Sequence, residues 1–245
     1  MKGLPAMLRR IVEPVLALLA LIAVSPALCI AAIGIRFSSP GPIFYRAIRV
    51  WRNGGVFIMY KFRTMHATLR VLESRITLQK DPRVFPFGSF LRLTKIDELP
   101  QLFNILKGEM SFVGPRPEDP HFVKNHYRPE QFEVLSVLPG LTSPGSLFNY
   151  THGEKCLDPA DPETSYVKNV LETRIALDLV YVREMSWFYD LRLVFRTLWI
   201  VLAIVAGRKA FPDPPETRKA RALGLRPAEE PDLGVGSYSR PVLEP

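Results

Sequence analysis

Apolar positions are unevenly spread along the chain. From Ile11 to Ile35 the only charge is Glu13. At ~1.5 Å per residue this run is long enough to cross a bilayer as a helix. Pro26 lies mid-run, where it removes a backbone donor and kinks a helix, and Ser25 beside it can bond a freed carbonyl. Ser38-Ser39-Pro40-Gly41-Pro42 breaks the pattern. Two β-prone stretches follow, Ile43–Val50 and Val56–Phe62, and Asn53-Gly54 between them predicts a hairpin. Residues 65–80 read as helix, Asp81-Pro82 interrupts, and 87–95 leads into an acidic pair. Over 99–107, Leu99, Leu102, Phe103 and Leu106 fall at i, i+3, i+4, i+7 and predict an amphipathic helix. It would start near Asp97, where Pro100 is tolerated, and stop at Lys107-Gly108. Another helix is expected in 119–135, a turn-rich loop over Pro139–Gly145, and a polar, irregular stretch over 146–166. Residues 167–206 read as helical with an aromatic face (Trp187, Phe188, Tyr189, Phe195, Trp199). From Gly207 onward the chain holds seven prolines and seven Lys/Arg in 39 residues, as in a disordered tail.

The flanks of the apolar run narrow its reading. A cleaved signal would have to use the poor Ser25-Pro26-Ala27 site, yet the chain stays apolar through Leu28–Ile35. A simple span would carry Arg9 and Arg10 on one side and Arg36, Arg46 and Arg49 on the other. Positive flanks stay cytoplasmic, so basic residues at both ends favour a bent helix that enters and leaves by one leaflet.

Charge and cysteines change the picture only a little. There are 32 Lys+Arg against 24 Asp+Glu, a net +8. That excess favours an anionic partner: nucleic acid, anionic lipid or a phosphorylated substrate. No recognition motif or basic aromatic platform supports nucleic acid. Cys29 lies in the apolar run and Cys156 far from it, so neither a disulfide framework nor a zinc site is indicated. The four histidines show no metal spacing, and the phosphate-cradling GxxxxGK[ST] and GxGxxG patterns are absent.

Four elements could carry chemistry. Asp97-Glu98 sits at an expected helix start, where amides and dipole favour negative charge, and Leu99-Pro100 constrains the backbone after it. Adjacent carboxylates are common on solvated surfaces. On a constrained turn, however, one can attack an electrophile while the other holds a divalent cation. In Gly114-Pro115-Arg116-Pro117, prolines hold the Arg116 backbone extended and Gly114 permits close approach, which suits a bidentate phosphate contact. Lys61, in Lys61-Phe62-Arg63-Thr64-Met65, ends a β-like run with two cations. Arg92 stands five residues before Asp97. Each of the last two would pass for a solvated cation on its own.

Together, Leu91 through Pro117, Ser39-Pro40-Gly41-Pro42-Ile43-Phe44-Tyr45, Lys61 through Met65 and the Ser25-Pro26 kink resemble the bacterial sugar transferases. These are the monotopic polyprenyl-phosphate phosphoglycosyl transferases. The resemblance covers about residues 8–120. It implies a membrane-associated α+β fold with an N-terminal re-entrant helix, a small β-hairpin region and interfacial helices around a compact cytoplasmic-face site. Residues 1–37 would be the anchor, 38–206 the catalytic domain and 207–245 the tail, at the bacterial inner membrane. It also implies transfer of a phosphosugar from a UDP-sugar to polyprenyl phosphate, with Asp97 as nucleophile, Glu98 as ligand of Mg2+, and Lys61, Arg92 and Arg116 near the phosphates. Such an enzyme would start lipid-linked glycan assembly. Its partners would be donor, acceptor and bilayer, with downstream glycosyltransferases and a second copy of the chain as further protein partners. A catalytically idle scaffold with the same fold is the alternative, and the joint presence of Asp97, Glu98 and Arg116 speaks against it. After Pro139-Gly140-Leu141-Thr142 the chain departs from the family pattern, reading Ser143-Pro144-Gly145-Ser146-Leu147-Phe148-Asn149-Tyr150. That segment is associated with the nucleotide-sugar end of the site.

Overall fold

The computed structural model describes residues 6–67, 74–78 and 80–225. Helix α1 runs from Ala6 to Ser38, about 50 Å at the usual rise. It stays helical through Pro26 because the carbonyl that the proline cannot bond, that of Ile22, accepts Ser25 Oγ at 2.8 Å. One stripe of α1 is covered: Ala17, Leu21, Ala31 and Ile35 are buried, with Val24 and Leu28 partly covered between them. This 3-4 spacing seats α1 on the helices that carry the acidic pair. Its other faces leave Ile11, Leu19, Ile22, Ile30 and Phe37 exposed, in a stretch long and apolar enough to cross a membrane.

Strands β1 (Phe44–Val50) and β2 (Val56–Phe62) form the expected antiparallel hairpin, with Val50 opposite Val56 and Phe44 opposite Phe62. Asn53 and Gly54 take positive φ in the connection, as an Asn-Gly turn requires. The free edge of β2 is capped by a side chain. Asn104 is fully buried, accepts the Tyr60 amide at 3.0 Å and donates to the Ile58 carbonyl at 2.7 Å.

Helix α2 (Pro86–Thr94) leads to a 3-10 helix over Ile96–Gln101, and α3 (Leu102–Leu106) follows. The helix expected over 99–107 is therefore shorter and tighter at its start, and its expected stripe is only half covered, Leu102 being buried and Leu99 half-buried. Phe103 and Leu106 are exposed, whereas Gln101, Leu102, Asn104 and Ile105 are buried. The bond pairing of Asn104 with β2 turns the helix that way. The helix expected over 65–80 falls partly on 68–73 and 79, outside the described residues. Over 74–78 no helix forms, because Arg83 draws in the Ser74 and Ile76 carbonyls at 2.9 and 3.1 Å.

Beyond the hairpin, two short strands, β3 (Ser111–Val113) and β4 (Gly140–Thr142), pair in parallel. Between them lies α4 (Pro120–His126), the helix expected within 119–135, followed by a 3-10 helix, Pro129–Ser136. Pro129 forces the preceding residue out of helical geometry. The stretch expected to be loop and irregular chain folds instead into α5 (Pro144–Thr151) and α6 (Pro162–Tyr166). Ser143 and Asp161 cap them, and proline opens each helix. A π turn (Val167–Leu171) passes into α7 (Glu172–Glu184), and Ser186 caps α8 (Trp187–Val205), so the expected 167–206 helix is broken at Met185-Ser186. The buried face of α7 (Ile175, Ala176, Leu179, Val180) centres the main core. Helix α8 leaves a continuous apolar stripe exposed: Phe188, Leu191, Phe195, Leu198, Leu202 and Val205.

The composition of 207–245 predicts a tail, yet its first part is folded. Helix α9 (Glu216–Ala222) seats Thr217 and Ala220 in the core, and Glu216 accepts Tyr189 Oη at 2.8 Å and Arg196 at 2.9 Å. Residues 226–245 lie outside the described residues.

Candidate active site

Asp97 and Glu98 are presented by a backbone reversal. Helix α2 ends at Lys95, a non-glycine residue in the left-handed region (φ 58°), and the 3-10 helix begins at the next residue. Both carboxylates are buried, 7% exposed each, which removes the solvated-surface alternative. As expected, both stand in the first turn of a helix, here the 3-10 helix. The ion-pair partners of Glu98 are side-chain cations.

Those cations converge on Glu98. Lys61, from the end of β2, donates to Glu98 Oε1 at 2.8 Å, and Arg116 donates to the same oxygen at 3.4 Å. Glu98 Oε2 accepts the Tyr150 hydroxyl at 2.8 Å. Lys95 Nζ stands 3.9 Å from the centre of the Tyr150 ring. Arg92 lines the same cavity, and its charge acts on Asp97. Thus four sequence candidates, Lys61, Arg92, Asp97 with Glu98, and Arg116, come together. Ser25 and Pro26 do not. They lie on the exposed side of α1, away from the cavity lining.

The two carboxyls are driven apart. Burial would raise the Glu98 carboxyl, but Lys61, Arg116 and Lys95 prevail and hold it well below the usual carboxylate range. Asp97 goes up, through burial and then the Glu98 charge, against the pull of Lys61, Lys95 and Arg92. Burial lowers Lys61, offset in part by Glu98, and raises the Tyr150 phenol, which stays a donor. Asp97 Oδ1 is buried and finds no hydrogen-bond partner among the described residues. A buried unpaired carboxylate oxygen costs about 1–3 kcal/mol and calls for a functional explanation.

Arg116 is fixed by its main chain. Gly114 N donates to Thr142 O at 3.0 Å, and Gly140 N donates to Pro115 O at 2.9 Å. A Cβ on Gly114 would come 2.4 Å from Leu138 O, so the close approach that glycine permits here is to the β4 segment. Pro115 and Pro117 flank Arg116 and restrict the backbone on both sides. The cavity in front of these groups measures about 1140 Å³, at the upper end for a small-molecule site and roomy enough for a nucleotide-sized ligand. Arg49, Arg75, Asp119 and Asn149 also line it.

Several supporting residues were missed by sequence reasoning. Tyr150 lies in the departing segment read as irregular. Glu118 is buried and accepts Tyr166 Oη at 2.7 Å and the Arg174 guanidinium. Asp178, also buried, accepts two main-chain amides. One signal was available: Arg174 and Asp178, four residues apart, interrupt an otherwise apolar helical face. Among the described residues no group of three or more His, Cys, Asp or Glu side chains gathers as a metal site.

The family model described as "Bacterial sugar transferase" matches residues 4–204. The chain is 35% identical over 207 residues to the UDP-glucose:undecaprenyl-phosphate glucose-1-phosphate transferase of Escherichia coli K12, covering 81% of this chain and 41% of that protein. It is 32% identical over 207 residues to the UDP-N-acetylgalactosamine-undecaprenyl-phosphate N-acetylgalactosaminephosphotransferase of Aeromonas hydrophila, covering 83% and 45%. It is 37% identical over 205 residues to the exopolysaccharide production protein ExoY of Sinorhizobium fredii, covering 78% and 83%. The chain therefore spans less than half the length of the first two.

Proposed function

The chain belongs to the bacterial sugar transferase family, and from that premise we propose that it transfers a phosphosugar from a UDP-sugar to polyprenyl phosphate through Asp97. The observation that carries this reading is the buried, unpartnered Asp97 Oδ1 beside a Glu98 whose oxygens are engaged by Lys61, Arg116 and Tyr150. One carboxylate is committed to its cations and the other keeps an oxygen for an electrophile. In the first step an Asp97 oxygen attacks the phosphorus that bears the sugar. The bond between the two phosphates breaks, UMP leaves with the bridging oxygen, and the phosphosugar stays on Asp97. In the second step a polyprenyl phosphate oxygen attacks that phosphorus, the bond to Asp97 breaks, and a diphosphate-linked lipid leaves. Lys61, Arg92 and Arg116 neutralise the phosphates, which is what phosphoryl transfer chiefly needs.

Magnesium fits as a companion of the donor. The protein offers the remaining acceptor capacity of Glu98 Oε2, too small an oxygen set to cage an ion unaided, while Asp97 Oδ1 stays free for the attack. When bound with the diphosphate, Mg2+ would supply neutralisation of phosphate charge.

The deciding assay uses detergent-purified protein, a panel of UDP-sugars, Mg2+ and undecaprenyl phosphate, with UMP release and intact protein mass as readouts. A panel is needed because the relatives' names divide between glucose and N-acetylgalactosamine. UMP is expected with one donor before acceptor is added, together with a mass gain of one phosphosugar. Absence of UMP across the panel would sink the proposal and favour the idle-scaffold reading.

The exposed faces of α1 and α8 support a membrane-bound form with α1 re-entrant. At about 50 Å, α1 exceeds the ~30 Å hydrocarbon core, and Ser25-Pro26 sits where it would turn. Soluble donor and lipid acceptor would then meet at the cytoplasmic face of the inner membrane. Tags placed at both flanks of 11–35 are expected on the same, cytoplasmic side. Tags on opposite sides would overturn the re-entrant form.

A further inference from the structure

The Asp178 carboxylate takes no part in the proposed reaction, yet it is built into the site. It lies on α7 and is 3% exposed. Its Oδ1 accepts the Gly145 amide at 2.8 Å, and its Oδ2 accepts the Arg116 amide at 3.1 Å. Gly145 stands in the first turn of α5, whose amides have no partner within the helix. One carboxylate thus joins the mount of Arg116 to the start of the helix that carries Tyr150. Arg116 and Tyr150 are two of the three side chains that meet Glu98. The fit is close: a Cβ on Gly145 would come 2.7 Å from both carboxylate oxygens. The chemistry is specific too. An ionised carboxylate accepts at both oxygens, whereas an amide of the same shape accepts at one and would turn a donor toward the other N–H.

We propose that Asp178 is a positioning residue that locks the Arg116 main chain and the start of α5 in one register. The Arg116 guanidinium and the Tyr150 hydroxyl then converge on Glu98. This rests on the reading of Arg116 as a phosphate contact in the proposed transfer. Small displacements of such a contact are enough to cost ~100-fold in rate.

The test combines single-residue hydrogen exchange with kinetics on the full chain in detergent. In the wild-type protein the Arg116 and Gly145 amides are expected to exchange at least about tenfold more slowly than exposed loop amides. In Asp178→Asn one or both should quicken by about tenfold while α8 and the hairpin keep their protection. The kcat for UMP release should fall by about 10- to 100-fold. In an Arg116→Lys background the Asp178→Asn effect on kcat should shrink, because the two act through one contact. Additive effects would mean a purely structural role and overturn the proposal, as would unchanged exchange in Asp178→Asn. Were that variant not to fold, wild-type exchange decides alone: loop-like rates at Arg116 and Gly145 overturn the lock. If the lock appears in exchange but wild type releases no UMP from any donor, the register stands and the reaction reading falls.

Discussion

Asp97→Asn is expected to lower UMP release by about 10³-fold or more and to leave the protein at least as stable as the wild type. The first half follows from removal of the attacking oxygen. The second half follows from the cost of keeping that oxygen. Asp97 is buried, Oδ1 has no partner among the described residues, and folding raises its carboxyl through burial and the neighbouring Glu98 charge. A carboxyl raised by folding works against the folded state above that raised value, and the burden disappears as pH falls through it. Asparagine removes the charge while keeping the shape, so a gain of about 1 kcal/mol is expected at pH 7. The gain should fade on acidification, as wild-type Asp97 itself takes up a proton. Intact mass should show no phosphosugar on the variant. A variant that still turned over, or that unfolded well below wild type at pH 7, would remove Asp97 from the nucleophile's role.

This opposition between stability and chemistry also explains which parts of the chain could be read directly. The apolar run of α1, the Asn53-Gly54 hairpin and the Pro-flanked Arg116 are local signals, carried by composition and turn chemistry over a few residues. Asp97-Glu98 was legible as a pair but not in its environment. Its support comes from Lys61 on β2, Arg116 after β3 and Tyr150 on α5, which are distant in sequence. Tertiary pairing also overrode periodicity at α3, where Asn104 bonds to the β2 edge and leaves Phe103 and Leu106 outward. The exposure of those two side chains, like that of the α8 stripe, accords with the proposed membrane face. The segment 143–166 gave no pattern because its helices are short and set by single caps and prolines (Ser143-Pro144, Asp161-Pro162), with too few turns for a period to show. Tyr150 and Asp178 matter through long-range bonds, one from the Tyr150 hydroxyl to Glu98 and two from main-chain amides to Asp178, which local pattern does not show.

Glu98→Gln should act in the opposite sense to Asp97→Asn, although each replacement removes one carboxylate from the same turn. Glu98 is the common partner of Lys61 and Arg116, and all three lie largely out of solvent. Removing one member of a buried ion pair leaves its partners uncompensated, at about 3–5 kcal/mol. Glutamine can still accept from Lys61, so the loss is one of charge more than of shape. Lys61, already lowered by burial, loses the largest influence that keeps it protonated. The pH dependence carries the sign. Because folding depresses the Glu98 carboxyl, its contribution is fully present above the unfolded value of 4.5 and is lost as pH falls through the folded value. Wild type should therefore lose this stabilisation on acidification below about 4.5, whereas Glu98→Gln should lack it already at pH 7 and show a flatter acid limb. Activity should fall as well, by about 10²-fold, because Arg116 and Lys61 lose the group that aims them at the phosphates. Denaturation midpoints in detergent at pH 7 and pH 4, set beside those of Asp97→Asn, decide the matter. If both variants shifted stability in the same direction, the division of labour between a tethered Glu98 and an unpaired Asp97 would be wrong, and with it the reason for assigning the nucleophile to Asp97.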